Sequence, residues 1–416
     1  MLANLRPSVL RRTRVPLTRR PHRALLLVAA LLAALFAGCI STPPNGSRDP
    51  AGVGVTPSGS PESSYNGPAS MPTAGTGRIS IVITGDVLLH ERLWATARQD
   101  GHGSMDFAPA LAPVKSLISG ADLAICHLET PLAPESGPYH GYPRFSAPPQ
   151  VARALKVTGY DACSTASNHS FDGGAAGVTR TLDTLDAAGL RHAGTARTPA
   201  EAAAPVLLDV RGVKVALLSY TFGFNGIPYP GGDTWRANRL DESRIRAAAK
   251  KARAAGAQIV VLVCHWGTEY NHRPNAQQRT LAPRFAADPD IDLVVGHHAH
   301  VVQPLEKIGD TWVAYGLGNF VAAHAEPSAA NTEGLLVRFT FRRSADGSWH
   351  TSNAEYAALL DTEAVPVRVL DVRHELGTHG SGLASADRLR QAQRSTDAVV
   401  NSLGAAEDGA RPIASQ

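Results

Sequence analysis

Short β-branched apolar runs alternate with helix-periodic stretches over much of the chain. Ile79-Ser80-Ile81-Val82-Ile83-Thr84-Gly85 reads as a strand buried on both faces, and so do residues 121–127, 160–164, 213–220, 258–265, 291–296 and 312–315. Helical periodicity over 149–158, 173–189, 241–256 and 275–287 falls between them, which predicts an α/β domain. From residue 334 two strands, 334–342 and 349–360, follow with no helical stretch between. The expected fold is a mixed sheet or sandwich covered by helices rather than a purely doubly wound sheet. There is no internal repeat.

The two ends of the 416-residue chain carry different patterns. Seven arginines and no acidic residues lie within 1–38, ahead of and flanking a 14-residue apolar run from Ala24 to Ala37. The run is short for a membrane span and ends in small residues, as in a secretory signal peptide. Leu35-Phe36-Ala37-Gly38-Cys39 resembles a bacterial lipobox, with Cys39 the expected lipidated residue. Residues 39–77 follow as a tether: Ser, Pro and Gly supply 21 of the 38 positions from Ile40 to Gly77. Such a segment cannot bury a core and has a reach on the order of 35 Å. The core domain is expected over 78–375, and 376–416 reads as a polar, Ala-rich, disordered tail. The expected location is therefore extracytoplasmic, anchored to a bacterial cell membrane.

The formal charge of +4 changes meaning once the leader is set aside. From Cys39 onward 33 basic residues face 36 acidic ones, a net of −3. General affinity for nucleic acid is thereby excluded as a default reading. Three cysteines remain beyond Cys39, namely Cys126, Cys163 and Cys264, each in an apolar strand-like run. Buried free thiols are expected, with a Cys126–Cys163 bridge between neighbouring strands the alternative.

The candidate chemistry sits where the strands end. The successive runs finish in Gly85-Asp86, His127-Leu128-Glu129, Ser167-Asn168-His169, Cys264-His265-Trp266-Gly267 and Gly296-His297-His298-Ala299-His300. Carboxyl ends of strands in an α/β sheet converge on one edge, where sites form. Nitrogen and oxygen donors without thiolate suit zinc, manganese or iron(II). Three imidazoles in four residues at 297–300 are hard to place in a core or on a solvated surface. If that stretch is extended, His298 and His300 share a face and His297 points away, and His127 and Glu129 likewise share a face.

These residues resemble the CapA family of poly-γ-glutamate capsule synthesis proteins, a branch of the calcineurin-like metallophosphoesterase superfamily. The matching stretches are Gly85-Asp86, Leu128-Glu129, Ser167-Asn168-His169, His265 to Tyr270, Val295 to Pro304 and Tyr315 to Phe320. The resemblance implies a four-layer αββα sandwich of two mixed sheets flanked by helices, with one or two divalent ions (Mn, Fe or Zn) at one edge. Carried over, Glu129 would bridge, Asn168, His265 and His298 would complete one ion, and Asp86 and His300 would hold the other. His169 would be the general acid or phosphate contact, with an activated water as nucleophile. Glu269 is a further candidate base or ligand. His297, Tyr220, Asn225, Gln303 and Asn319 are candidates beside the ligands or against the substrate.

The chain departs from the superfamily's usual Asp-x-His, because Leu88 occupies the third position. His127, or His90 from the following helix, would have to supply the missing imidazole. Two functional classes follow. One is a metal-dependent, phosphoesterase-like hydrolase in capsule or poly-γ-glutamate biosynthesis, acting on an envelope phosphoester or polymer. The other is a non-catalytic factor that binds an anionic polymer and assists its export. Arg144, Arg236, Arg239 and His272-Arg273 lie in loops that could face a polyanion, and other capsule synthesis proteins are the expected partners.

Overall fold

The structure is a computed structural model that describes residues 77–414 apart from residue 379. The leader, Cys39 and the tether lie outside the described residues. The first sheet runs, in spatial order, β14 (Val369–Asp371), β13 (Trp349–Asp361), β12 (Glu333–Arg343), β1 (Arg78–Val87), β2 (Leu123–Leu128), β3 (Ala162–Ser164) and β4 (Arg191–Ala193). Two short strands join it: β11 (Asn319–Val321) against β1, and β15 (Arg411–Pro412) against β13. The second sheet runs β5 (Leu207–Val210), β6 (Val213–Thr221), β7 (Ile259–His265), β8 (Leu293–His297), β10 (Thr311–Ala314) and β9 (Leu305–Ile308). Both mix parallel and antiparallel pairs.

Side-chain alternation decides the layering. Ile79, Ile81 and Ile83 of β1 pack with Leu123, Ile125, Val215, Val261, Val263 and Val295 in one apolar layer between the sheets. Val82, Ala124 and Cys126 point the other way, against the helices Glu91–Asp100, Gln150–Thr158 and Gly174–Ala187. On the far side, Val260, Leu262 and Val294 meet the helices Glu242–Ala254 and Ala276–Ala286 through Ile245, Ala249, Ala282 and Phe285. Strands buried on both faces read as near-continuous apolar runs, which is why the sequence shows them so plainly. The result is the expected four-layer arrangement of helix, sheet, sheet and helix.

Two expectations need correction. The C-terminal residues are not a disordered tail. Ala386–Val400 is a helix capped by Ser385, and it buries Leu389, Ala392, Thr396 and Val400. Leu389 and Ala392 close a small cluster with Ala358, Leu360, Leu370 and Val372. Its buried stripe is largely Ala and Thr, so the periodicity is too weak in hydrophobicity to be seen in sequence. Nor are the thiols all free. Cys126 and Cys163 are directly opposed on β2 and β3, with Cα atoms 4.5 Å apart, and form a disulfide; that separation is within the usual range. Cys264 is buried and free, and burial pushes its thiol up from the usual value.

Neighbouring backbone segments approach so closely near the site edge that two positions need glycine. A Cβ at Gly85 would lie 2.2 Å from the Gly318 carbonyl oxygen, and one at Gly296 would lie 1.9 Å from that of Tyr315. Gly296→Ala is expected to destabilise the fold by about 1–3 kcal/mol or more, since backbone rather than a flexible side chain must move. Urea unfolding checks this: a midpoint matching wild type would mean that the contact is not there.

Candidate metal centre

Strand register builds the centre as two facing rows. In the first sheet Asp86 pairs with Asn319 on one side and His127 on the other, and His127 pairs in turn with Ser164. In the second sheet His265 pairs with Thr221 and His297. Glu129 follows β2 by one residue, and Asn168 and His169 follow β3. His298 and His300 follow β8 in a turn, with φ of 89° and 54°. Tyr270, Asn225 and Ala323 nearby also have positive φ. Non-glycine residues adopt this region rarely, and such strain gathers at functional sites. The 298–300 segment is thus not extended, yet His298 and His300 still converge.

Two groups of donors lie close enough to hold an ion: Asp86, His127, Glu129 and His265, and then Glu129, His298 and His300. Glu129 belongs to both, as a bridging carboxylate must. His265 Nε2 is 2.9 Å from Asn168 Oδ1 and 3.9 Å from Glu129 Oε1. His300 Nε2 is 3.6 Å from the same Glu129 oxygen, while its Nδ1 lies 3.1 Å from Asp86 Oδ2 and 3.0 Å from Asn319 Oδ1. Asp86 also accepts from His297 Nδ1 at 2.8 Å. His127 Nε2 is 3.0 Å from His265 Nδ1, and its Nδ1 is 2.8 Å from Ser164 Oγ.

The donor set fits a divalent cation. Both carboxylate oxygens of Glu129 are buried without a hydrogen-bond partner, and so are His297 Nε2 and His298 Nδ1. A buried carboxylate with neither proton nor cation is prohibitively costly. Accordingly burial pushes Glu129 well above its usual value, with the charges of Asp86 and Glu269 adding to it against the pull of His300. Burial alone would raise Asp86 too, but hydrogen bonds from His297 and His300 hold it well below the carboxylate range. Burial would lower His300, but Glu129 and Asp86 raise it to about 10. Burial also draws down His127, His265 and His298, the last to about 3, and keeps these imidazoles neutral and able to ligate.

The other candidates fall into three sets. His127 stands with Asp86 where the Asp-x-His imidazole is missing, whereas His90 joins neither group: its Nδ1 donates to the Ala322 carbonyl at 3.0 Å. Leu88 packs on Phe145 and Ala322. At the mouth, Asn168 Nδ2 donates to Asn225 Oδ1 at 3.3 Å, and Glu269 is an exposed carboxylate close enough to act on Glu129 and His300 through space. Asn319 Oδ1 lies 3.0 Å from His300 Nδ1, and its Nδ2 donates to the Asn331 carbonyl. Two candidates lie elsewhere. Tyr220 is in the apolar layer under Glu242–Ala254, because its strand alternation turns it away from the edge. Gln303 bonds Gln278 and the Asn271 carbonyl, pinning the 267–275 loop rather than facing the imidazoles.

Three contributors were not singled out in the sequence. Asp172 accepts from His169 Nδ1 at 2.7 Å and fixes that ring, and the His169-x-x-Asp172 spacing is the signal that could have found it. Phe222 lies over His298 at 4.6 Å between ring centroids. His324 sits 5.8 Å from His300 and shares Asn319 with it.

Two face-to-face sheets between helices, with buried carboxylates and imidazoles at the edge where the strands end, define a four-layer α/β protein with a candidate metal centre. The family described as "Bacterial capsule synthesis protein PGA_cap" matches residues 80–324, and the chain belongs to it. Capsule biosynthesis protein CapA of Bacillus anthracis is 32% identical over 181 residues, 42% of this chain and 43% of that protein. PGA biosynthesis protein CapA of Bacillus subtilis (strain 168) is 29% identical over 208 residues, 49% of this chain and 53% of that one. The chain thus spans about half the length of the curated relatives it matches. Among solved structures, the calcineurin-like phosphoesterase YfkN of Bacillus subtilis gives a TM-score of 0.40 at 16% identity, covering 77% of this chain and 97% of that one.

The segment bearing His324 depends on one buried acid. Asp361 Oδ2 accepts from the Ala322 and Ala323 N–H groups at 2.9 and 3.0 Å, and burial raises Asp361 to about 6. Between the unfolded value near 4 and this folded value, the native state holds a proton that the unfolded chain releases. Stability from this group therefore falls as pH rises from about 4 to about 6, by about 2–3 kcal/mol in all. Asp361→Asn keeps an acceptor and has no proton to lose, so its urea stability is expected to show a flatter pH slope in that window. Parallel slopes for the two proteins would refute the assignment.

Proposed function

We propose that this protein is a lipid-anchored, extracytoplasmic, metal-dependent hydrolase of the phosphoester-cleaving type that works in capsule or poly-γ-glutamate biosynthesis beside other synthesis proteins. The observation that carries the reading is Glu129: a fully buried carboxylate with both oxygens unpaired, set between two groups of imidazoles. Asp86, His127, Glu129 and His265, with Asn168 alongside, would hold one ion, and Glu129, His298 and His300 the other. Two divalent ions, when bound, lower the pKa of a water and offset charge on the oxygens of a reacting phosphoryl group. His297 and Asn319 hold Asp86 and His300 in place. His169, its Nδ1 committed to Asp172, keeps Nε2 for a proton that can pass to a leaving oxygen.

The cellular setting draws support from two features. The Cys126–Cys163 disulfide fits an oxidising compartment. Among the described residues no helix is long and apolar enough to cross a membrane, so attachment in this reading rests on Cys39.

Elemental mass spectrometry of protein purified without chelator is expected to find near two equivalents of manganese, iron or zinc. His265→Ala and His298→Ala should each lose at least one; unchanged metal in both variants would overturn the centre. His169→Asn is expected to retain the metal and lose about 10²–10⁴ in turnover of a phosphoester such as p-nitrophenyl phosphate. One equivalent or fewer, with no turnover, would favour the polymer-handling alternative.

A further inference from the structure

The mouth of the centre is rimmed by rings that the chemistry above leaves unused. From one side to the other, Tyr142 lies 6.4 Å from Phe145, Phe145 5.3 Å from His90, His90 4.6 Å from His324, and His324 6.3 Å from Tyr270, all between centroids. The arc touches the centre twice. Phe145 meets His169 edge-on at 4.8 Å, and Tyr270 is 6.1 Å from His300. Tyr142 and Tyr270 are 75% and 55% exposed, the two most exposed large hydrophobic side chains among the described residues. Both are built in rather than dangling. Tyr142 lines a groove of about 770 Å³ with Trp94, Tyr139 and Phe145, and Tyr270 is held at φ 60° by its N–H donating to the Ala299 carbonyl at 2.7 Å.

Two of the basic loop residues are already engaged, while Arg239 and Arg273 stand exposed. Arg236 is turned onto Asp233 at 2.9 Å and stacks on Trp235, and His272 donates to the Val302 carbonyl at 2.7 Å. Arg144 shares its groove with Glu91, and Glu269 stands exposed beside the centre. Asn225 adds an amide at the opening. Exposed aromatic side chains with carboxylates and an amide near them match a ring whose faces are C–H and whose edge carries hydroxyls.

We infer that the Tyr142–Tyr270 rim is a subsite for the sugar ring of a glycosyl phosphoester whose phosphoryl group enters the metal centre. The inference rests on the hydrolase reading and names the substrate class for it. Water oxygen then bonds to phosphorus as the bond from phosphorus to the sugar oxygen breaks. The sugar leaves as an alcohol with a proton from His169, and the phosphate keeps the oxygen of water.

The test is calorimetric binding of the 1-phosphates of glucose, galactose and N-acetylglucosamine to the metal-loaded full chain, with ethyl phosphate as the sugarless control. At least one sugar phosphate is expected to bind about tenfold tighter than ethyl phosphate, the scale of one good ring contact. The Tyr142→Ala/Tyr270→Ala double variant, checked for folding and metal content, should erase that preference, whereas Tyr142→Phe, which keeps the ring, should retain it. No preference in wild type, or a preference that survives in the double variant, overturns the subsite. So does a result in which the tyrosines matter only for poly-γ-glutamate. A sugar preference without turnover of any phosphoester would fell the hydrolase reading and leave the subsite standing. Turnover of p-nitrophenyl phosphate without sugar preference would do the reverse.

Discussion

A carboxylate removed from water must be met by a proton, a hydrogen-bond donor or a cation, and Glu129 has no donor at either oxygen. Much of the surrounding architecture bears on that condition. Asp86, a second buried acid, is satisfied by His297 and His300, which leaves it charged and draws positive charge onto His300. His127, His265 and His298 are kept neutral by burial, so their nitrogen lone pairs are available. Removing Glu129's counter-charge would leave either a protonated acid among neutral imidazoles or a buried anion. Both are poor states for a fold to maintain at neutral pH, and a divalent ion resolves both.

The strands serve this condition through register. Parallel pairing brings Asp86, His127 and Ser164 into one row and His265 and His297 into another, and the facing sheets oppose the two rows. The glycines at 85 and 296 let β1 and β8 run close against the 315–318 backbone beside these rows. A disulfide joins β2 to β3 at the residues just before His127 and Ser164, so His127 is backed by a covalent link. The strained turn at 298–300 then supplies imidazoles that no regular strand could aim at Glu129.

Much of this was legible in the sequence, for identifiable reasons. Strands buried on both faces have continuous β-branched runs, and metal-capable residues at their ends are conspicuous, so the four layers and many of the side chains gathered around Glu129 could be read from pattern and resemblance. Tyr220 was misplaced because parity along a strand fixes which residues share a face but not which face is the site's. Gln303 was drawn in by proximity to the histidine cluster, although its partners lie in the neighbouring loop. The helix Ala386–Val400 escaped notice because Ala and Thr bury well without standing out as hydrophobic. His324 and Phe222 reach the centre only through the long-range course of loops, which local periodicity does not encode.

The direction of β1 sets the two ends of the domain apart. Its ten residues enter the core at Arg78 and deliver Asp86 near the far end, about 26 Å away at roughly 3.3 Å per residue. Gly77 and Arg78 therefore lie at the end of the strand remote from the centre. Material reaching the centre thus approaches from the end of the fold opposite the one at which β1 begins.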